Sequence, residues 1–430
     1  RTINWSDCNP SSRVEKLMSK RGSILHAMTG AGDLPFRGDE DLVTESLSVY
    51  GIPVTRTTGE FWTSRQRQGS SLHEVSYRGC FKPQLPAYFI NLLTEPGDLV
   101  YDPFSGRGTT VIEAGLLGRA VAANDANPLC RLLTRPRFFL PDPAMVKARL
   151  DSIPIENGAV AEMDLSMFFD PRTEAEIVSL RDYLLGKERD GDLDHLDEWI
   201  RMVATNRLTG HSSGFFSVYT LPPNQAVSPT RQERINRKRN QVPPYRDTRA
   251  LILKKTLSLL KDVPKIQQDL LRKAGETALF FSGDSRRTPG IGDGTVNLTV
   301  TSPPFLDVVQ YSSDNWLRCW FNGIDPVAVE KGLTVTRSLP EWKRVMQQTL
   351  YELFRVTRIG GHVAFEVGEV RRGTVRLDET VVPLGVRAGF SCEGILVNLQ
   401  DFTKTSHIWG IGNNAHGTNT NRIVVFKKEE

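Results

Sequence analysis

Long apolar runs are missing from this 430-residue chain, and no signal-peptide pattern opens it. Nothing in it is long enough to cross a bilayer, so the sequence predicts a cytoplasmic protein with no membrane partner. Cysteine is scarce: Cys8, Cys80, Cys130, Cys319 and Cys392 are scattered, odd in number, and form no Cys-x-x-Cys pair. That pattern predicts reduced thiols without a zinc site, and no metal is expected. A strong charge imbalance is missing too. The formal net charge is +4, so affinity for nucleic acid would have to come from local clustering. Neither Gly-x-Gly-x-x-Gly nor Gly-x-x-x-x-Gly-Lys-Ser/Thr occurs, which argues against an ordinary dinucleotide site and a phosphate-cradling P-loop. No internal repeat is found. What remains, 39% hydrophobic and 24% charged residues, is ordinary for a globular protein long enough for two domains and a large core.

Two stretches stand out against that background. Asn297–Phe305 is an apolar strand pattern running straight into Thr301-Ser302-Pro303-Pro304-Phe305. Two consecutive prolines fix φ, remove two N–H donors, and push Ser302 and Pro303 into extended geometry. The result is a stiff loop at a strand's carboxyl end, offering carbonyl oxygens, a hydroxyl and a flat ring. Such a loop suits a planar group bearing an amine: the oxygens accept its N–H bonds and the ring stacks on its face. Earlier in the chain, Leu99–Tyr101 is a short apolar run. It leads into Asp102-Pro103-Phe104-Ser105-Gly106-Arg107-Gly108-Thr109-Thr110, and then into the helical spacing of Val111–Leu117. Strand, glycine turn and helix form the first βα unit of a doubly wound sheet, where ligands bind at the carboxyl ends of strands. The next strand, Ala120–Asn124, ends in Asp125, an acid placed to accept hydrogen bonds from a ribose diol.

Together, Asp102–Thr110, the strand-end Asp125 and the Thr-Ser-Pro-Pro-Phe loop resemble the S-adenosylmethionine-dependent DNA amino-methyltransferases. The resemblance covers roughly Lys82–Asn127 and Ala278–Phe426. It implies an α/β, Rossmann-like doubly wound methyltransferase sheet with a large inserted, mainly helical DNA-recognition region. By the resemblance, Asp102, Pro103, Phe104, Ser105, Gly106, Gly108, Thr109 and Thr110 hold the methionine part of S-adenosyl-L-methionine. Asp125 holds its ribose, and Ser302, Pro303, Pro304 and Phe305 hold the target amine. Asp284, at the tip of a third strand Ala278–Ser282, would accept from the cofactor's adenine. Lys82-Pro83, opening a helix ahead of the first strand, fits a further cofactor-contacting segment. Serine at the head of the Ser-Pro-Pro loop looks like the members that methylate cytosine at N4, whereas Asp or Asn usually marks the adenine N6 members. The cofactor loop comes first in this chain, the reverse of many Ser-Pro-Pro members, and the sheet can be assembled from either permutation.

The implied reaction is direct in-line methyl transfer to the N4 amine of a cytosine flipped out of duplex DNA. No thiolate attack is needed, and the Pro-Cys nucleophile motif of the carbon-5 cytosine enzymes is absent. Adenine N6 methylation, RNA methylation and a catalytically inactive DNA-binding protein stay open as alternatives. Double-stranded DNA is the expected partner, together with a cognate restriction endonuclease.

The rest of the chain is divided accordingly. Residues 1–80 read as an N-terminal arm, with Ser11–Met28 as a basic amphipathic helix. Within it Arg65, Arg67 and Arg78 alternate with Phe61, Trp62 and Tyr77, a pattern suited either to phosphate contact and base stacking or to ordinary ring burial. Residues 81–135 and 276–430 are the two parts of the catalytic domain. Residues 136–275 are an insert far longer than a βα connection requires. It carries the most basic stretch of the chain, with Arg231, Arg234, Arg237, Lys238 and Arg239 as candidate phosphate contacts.

Overall fold

A computed structural model describes residues 42–62, 69–221, 226–304, 311–332, 336, 338–370, 375–399 and 421–430. The described part begins with a hairpin of β1 (Val43–Val49) and β2 (Ile52–Gly59). Its turn is Tyr50-Gly51, both at positive φ (51° and 84°), the geometry that matches strand twist in two-residue hairpins. Next come α1 (Gln84–Leu93), β3 (Leu99–Asp102), α2 (Thr109–Leu116), β4 (Ala120–Asp125) and α3 (Pro128–Thr134). Six helices then intervene before the next strand: α4 (Pro143–Ser152), α5 (Pro171–Asp190), α6 (His195–Arg207), α7 (Pro229–Arg239), α8 (Thr248–Leu260) and α9 (Lys265–Thr277). Four of them, α4 to α7, begin behind an Asp or Ser whose side chain caps the first turn, and α8 begins behind Asp247 in the same way. The remainder is β5 (Leu279–Ser282), β6 (Val296–Thr301), α10 (Tyr311–Phe321), α11 (Pro326–Gly332), α12 (Leu339–Val356), β7 (Thr357–Val367), the short pair β8 (Glu369–Val370) and β9 (Val375–Arg376), α13 (Leu377–Ala388), β10 (Ser391–Asn398) and β11 (Asn421–Lys427).

Nine strands make one sheet in the order β1-β2-β10-β11-β7-β6-β3-β4-β5. From β7 to β5 every neighbour is parallel, β11 is antiparallel to both its neighbours, and β2 pairs parallel to β10. Side chains alternate between two apolar cores, one on each face. Val100, Val121, Ala123, Ala364 and Val425 join α1, α2 and α9 in one core, while Tyr101, Ala122, Phe365, Val424 and Phe426 join α12 and α13 in the other. This is the double winding expected of strands buried on both faces. Helix α12 shows the pattern plainly: Trp342, Val345, Met346, Leu350, Leu353 and Val356 are buried at helical spacing, behind a Ser338 cap.

The chain winds outward from β3 through β4 to β5, returns to β6 beside β3, and winds the other way to β7. The carboxyl ends of β3 and β6 are therefore the topological switch point, where crossovers diverge and leave a crevice.

Two differences from the sequence reading follow. Val43–Gly59, where no motif was seen, is not a separate arm: β2 hydrogen-bonds β10 and extends the sheet. The inserted helices share their apolar core with the sheet face, since Phe168, Trp199, Ile200 and Leu259 belong to the same cluster as Val100 and Ile112. Ser11–Met28 lies outside the described residues. Cys80, Cys130, Cys319 and Cys392 are free thiols. Among the described residues no helix is long and apolar enough to cross a membrane, and no three His, Cys, Asp or Glu side chains cluster as metal ligands.

Candidate active site

Asp102 closes β3 and Thr301 closes β6, and the two meet: Thr301 Oγ1 donates to Asp102 Oδ1 at 2.7 Å. Thr110, in the first turn of α2, donates to the Val300 carbonyl at 3.0 Å. The glycine loop and the Ser-Pro-Pro loop thus border one cleft that opens to solvent. Phe104, Ser105 and Gly106 line it on one side and Ser302 and Pro304 on the other, with Asp125 at its floor.

The glycine loop is held by backbone donors. Asp102 Oδ1 also accepts from Phe104 N at 3.1 Å, and Ser105 N donates to the Asn124 carbonyl at 3.0 Å. Gly108 opens α2 at φ 76°, and a Cβ there would sit 2.3 Å from Thr134 Cγ2, so only glycine fits. Asp125 clamps the loop from the next strand. Its Oδ2 accepts from Gly106 N and its Oδ1 from Asn127 N, both at 2.9 Å, and each oxygen keeps a further lone pair. Burial raises the Asp125 carboxyl against the pull of those two bonds. Burial also pushes Asp102 up to about 7, partly offset by hydrogen bonds from Thr301, Phe104 and Thr110.

The second loop is braced by residues the sequence reading did not single out. Trp342 Nε1, on α12, donates to the Pro304 carbonyl at 2.9 Å. Thr301 pairs with Phe365 in the β6–β7 register, which brings Glu366 alongside Ser302. The Glu366 carboxyl accepts from Ser302 and, at 3.0 Å, from Asn421 Nδ2, and burial raises its pKa above the ordinary value in spite of both. With Glu366 ionised, the Ser302 hydroxyl donates to it and both lone pairs of the serine oxygen stay available to an incoming donor.

The remaining expected residues fall as follows. Pro103 and Thr109 line the cleft with the loop. Gly108 packs against Thr134 and Thr110 bonds β6, so both shape the loop from behind. Lys82 is half-buried ahead of α1, and desolvation lowers its pKa. Asp284 lines the cleft at the tip of β5, but Arg286 engages its carboxylate through Nε (2.9 and 2.8 Å), Nη2 and the backbone N–H. That leaves Asp284 little acceptor capacity for an adenine amine. Pro303 is buried in the Ser-Pro-Pro loop, and Phe305 lies outside the described residues, as do Arg65 and Arg67. Phe61, Trp62 and Tyr77 are core residues, 5%, 3% and 7% exposed; Phe61 and Trp62 pack on Tyr88, and their backbone N–H groups hold Asn398 Oδ1. These contacts place Phe61 and Trp62 in the core rather than against a base, while Tyr77 lines the cleft.

On α7, Arg231, Arg234, Arg237, Lys238 and Arg239 are all exposed, and no carboxylate among the described residues pairs with them. Arg239 lies over the Tyr219 ring at 3.8 Å. Gln232 and Gln241 both donate to the Tyr219 carbonyl, at 3.1 and 2.9 Å, so these amides fix the loop onto the helix.

The switch-point cleft, with a glycine turn and a Ser-Pro-Pro turn at adjacent strand tips, defines a Rossmann-like sheet of the methyltransferase class. The model of a family described as DNA methylase, N6_N4_Mtase, matches residues 41–134. The chain is 22% identical over 324 residues to the type II methyltransferase M.BsoBI of Geobacillus stearothermophilus, covering 66% of this chain and 60% of that relative's length. Among solved structures it resembles TTHA0409 of Thermus thermophilus, assigned as a DNA modification methylase, in complex with S-adenosyl-L-methionine (18% identity, 34% of this chain and 54% of that one, TM-score 0.23). It also resembles the rRNA methyltransferase aviRa of Streptomyces viridochromogenes (11% identity, 84% and 90%, TM-score 0.33). Both superpositions are low, so the fold rests on the strand order given above. On these matches the chain is similar to the N6/N4 DNA methylases, the family model covering residues 41–134.

Proposed function

We propose that the chain is an S-adenosylmethionine-dependent DNA methyltransferase acting on the exocyclic N4 amine of cytosine in duplex DNA. The observation that carries this reading is the 2.7 Å bond between Thr301 and Asp102, which joins a cofactor-type loop and an amine-type loop at one cleft. The residues fit the cofactor. Asp102 and Asp125 offer carboxylate oxygens to an ammonium and a ribose diol, and the loop between them presents backbone to the cleft. When bound, the cofactor supplies an electrophilic methyl group on a sulfonium.

The protein's own part is to hold the amine and dispose of a proton. An exocyclic amine is a poor nucleophile because its lone pair is delocalised into the ring. Ser302 Oγ and the Pro303 carbonyl accept its two N–H bonds and draw nitrogen toward tetrahedral geometry. Trp342 keeps the loop in place through the neighbouring carbonyl. With the cofactor bound, its sulfur would take up the C–S bonding pair as the methyl is transferred, and the amine nitrogen would shed one proton. Ser302 passes it to Glu366, whose raised pKa suits it as acceptor. Holding the amine at the cleft beside the cofactor loop would make the step effectively unimolecular. Residues 136–275 are the target-recognition region, and the exposed cations of α7 take DNA phosphates. A cognate restriction endonuclease is the proposed functional partner.

Transfer of a labelled methyl group to duplex DNA, followed by nucleoside digestion and mass spectrometry, tests this reading. N4-methylcytosine is the expected product. N6-methyladenine would reassign the base while keeping the mechanism, and transfer to RNA but not DNA would overturn the substrate.

A further inference from the structure

Between the cleft and the inserted helices lies a group of arginines with too few acids. Asn206, near the end of α6, exchanges two hydrogen bonds with the Ser76 backbone (3.1 and 2.9 Å) and accepts from Arg207 Nη2 at 3.1 Å. Two residues beyond Ser76, Arg78 reaches α10, its Nη1 2.6 Å from Asp314 Oδ2. Arg318 lies one turn further along α10 and donates to Asn315 Oδ1 at 3.2 Å. Helices α6 and α10 are locked together by Arg201 on Asn322 (2.8 Å) and Asn322 on Thr205 (2.9 Å). Arg78, Arg207 and Arg318 therefore converge beside Tyr77, which lines the cleft.

Acids do not balance them. Asp314 is taken by Arg78, and Glu74 is shared by Lys255 and Lys261 at 3.1 and 3.3 Å. No carboxylate among the described residues forms an ion pair with Arg207 or Arg318. Arg207 is half-buried, resting over the Phe215 ring at 4.0 Å, and Arg318 is 5% exposed. Burial lowers both guanidinium pKa values, and the neighbouring Arg318 charge helps bring Arg207 down to about 10. Sinking two such groups side by side with only amide oxygens is costly unless an anion completes the site.

We infer that Arg207 and Arg318, joined by Arg78, form a binding site for the phosphodiester of the nucleotide whose base enters the cleft. This deepens the DNA methyl-transfer reading and rests on it. A flipped nucleotide swings its base inward while its phosphate stays at the cleft mouth. Guanidinium forks match phosphate oxygens two at a time, which a lysine cannot do.

The test uses the full chain and a duplex whose methylated position has been mapped. An uncharged methylphosphonate replaces, one at a time, each phosphate around the target base. One position next to the target should weaken wild-type binding roughly tenfold and flatten the salt dependence by about one released ion. Arg207→Gln should bind the unmodified duplex that much more weakly and lose its response at that position, with cofactor binding by calorimetry unchanged. Arg318→Gln should do the same; if it fails to fold, the wild-type scan and Arg207→Gln decide the matter alone. Equal binding at every substituted phosphate, or an Arg207→Gln variant that keeps the full salt slope, overturns the phosphate site while methylation of DNA persists. A wild-type chain that methylates no DNA defeats the underlying reading instead.

Discussion

On the proposed assignment of Asp102 to the cofactor, its burial gives cofactor binding a pH dependence of defined direction. Its carboxyl is 2% exposed and burial pushes it up to about 7, so near neutrality it is partly protonated. A ligand bearing an ammonium prefers the ionised form. Where only the ionised fraction binds, affinity at about pH 6 should be roughly tenfold below its plateau. Affinity should rise through about 7 and fall again as the ligand's own amine titrates near ~8. Calorimetry in buffers of different ionisation enthalpy would register a proton released on binding at the acid end. Stability moves the other way. With the folded-state value above the ordinary 3.8, the folded protein holds more protons than the unfolded chain between the two values. Stability therefore declines as pH rises through that window and levels off above about 7. A shift of about three units at ~1.4 kcal/mol each bounds the loss at ~4 kcal/mol. Asp102→Asn keeps an oxygen for Thr301 and Phe104 but carries no charge. It should melt higher than the parent at about pH 8 and bind S-adenosylmethionine more weakly, without the rise through 7. Wild-type affinity that is flat across this range, or an Asp102→Asn variant that melts lower at about pH 8, would refute the reasoning.

Three further outcomes are expected. Ser302→Ala should cut turnover by about two orders of magnitude, since it removes an acceptor for the amine and the link to Glu366, with cofactor affinity unchanged by calorimetry; normal methylation by this variant sinks the assigned role. Gly108→Ala forces a left-handed φ on alanine and drives Cβ to 2.3 Å from Thr134 Cγ2. It should cost about 3 kcal/mol of stability in denaturant titration, and Thr134→Ala should return part of that; equal losses in both backgrounds would remove the steric explanation. Arg234→Gln with Lys238→Gln should weaken binding to all duplexes alike and lower the slope of log affinity on log salt by about two, and an unchanged slope would place DNA elsewhere.

Most of the parallel sheet could be read from the sequence because its strands are local signals: short apolar runs, each ending in a turn or an acid. That Asp102 and Thr301 would meet across 199 positions followed from topology, since a doubly wound sheet brings its first strand and the strand after the return to one crevice. The β1–β2 hairpin went unread although Tyr50-Gly51, flanked by β-branched residues, carried the signal of a two-residue turn. The ring-and-arginine stretch left two readings open for the opposite reason. Aromatics next to cations suit a nucleic acid and a core equally well, and only contacts such as those of Phe61 and Trp62 with Tyr88 tell them apart.

Glu366 shows how such contacts can still be anticipated. It interrupts the run His362-Val363-Ala364-Phe365-Glu366-Val367 in a strand hydrogen-bonded on both sides, a place where a carboxylate is rarely buried without partners. Its partners come from the two adjoining strands, Asn421 at the start of β11 and Ser302 just past the end of β6. An acid near the carboxyl end of a central parallel strand already implies donors at the neighbouring tips. Here one of those donors is the residue proposed to receive the substrate amine, so the buried charge points to the reacting end of the sheet without any knowledge of the ligand.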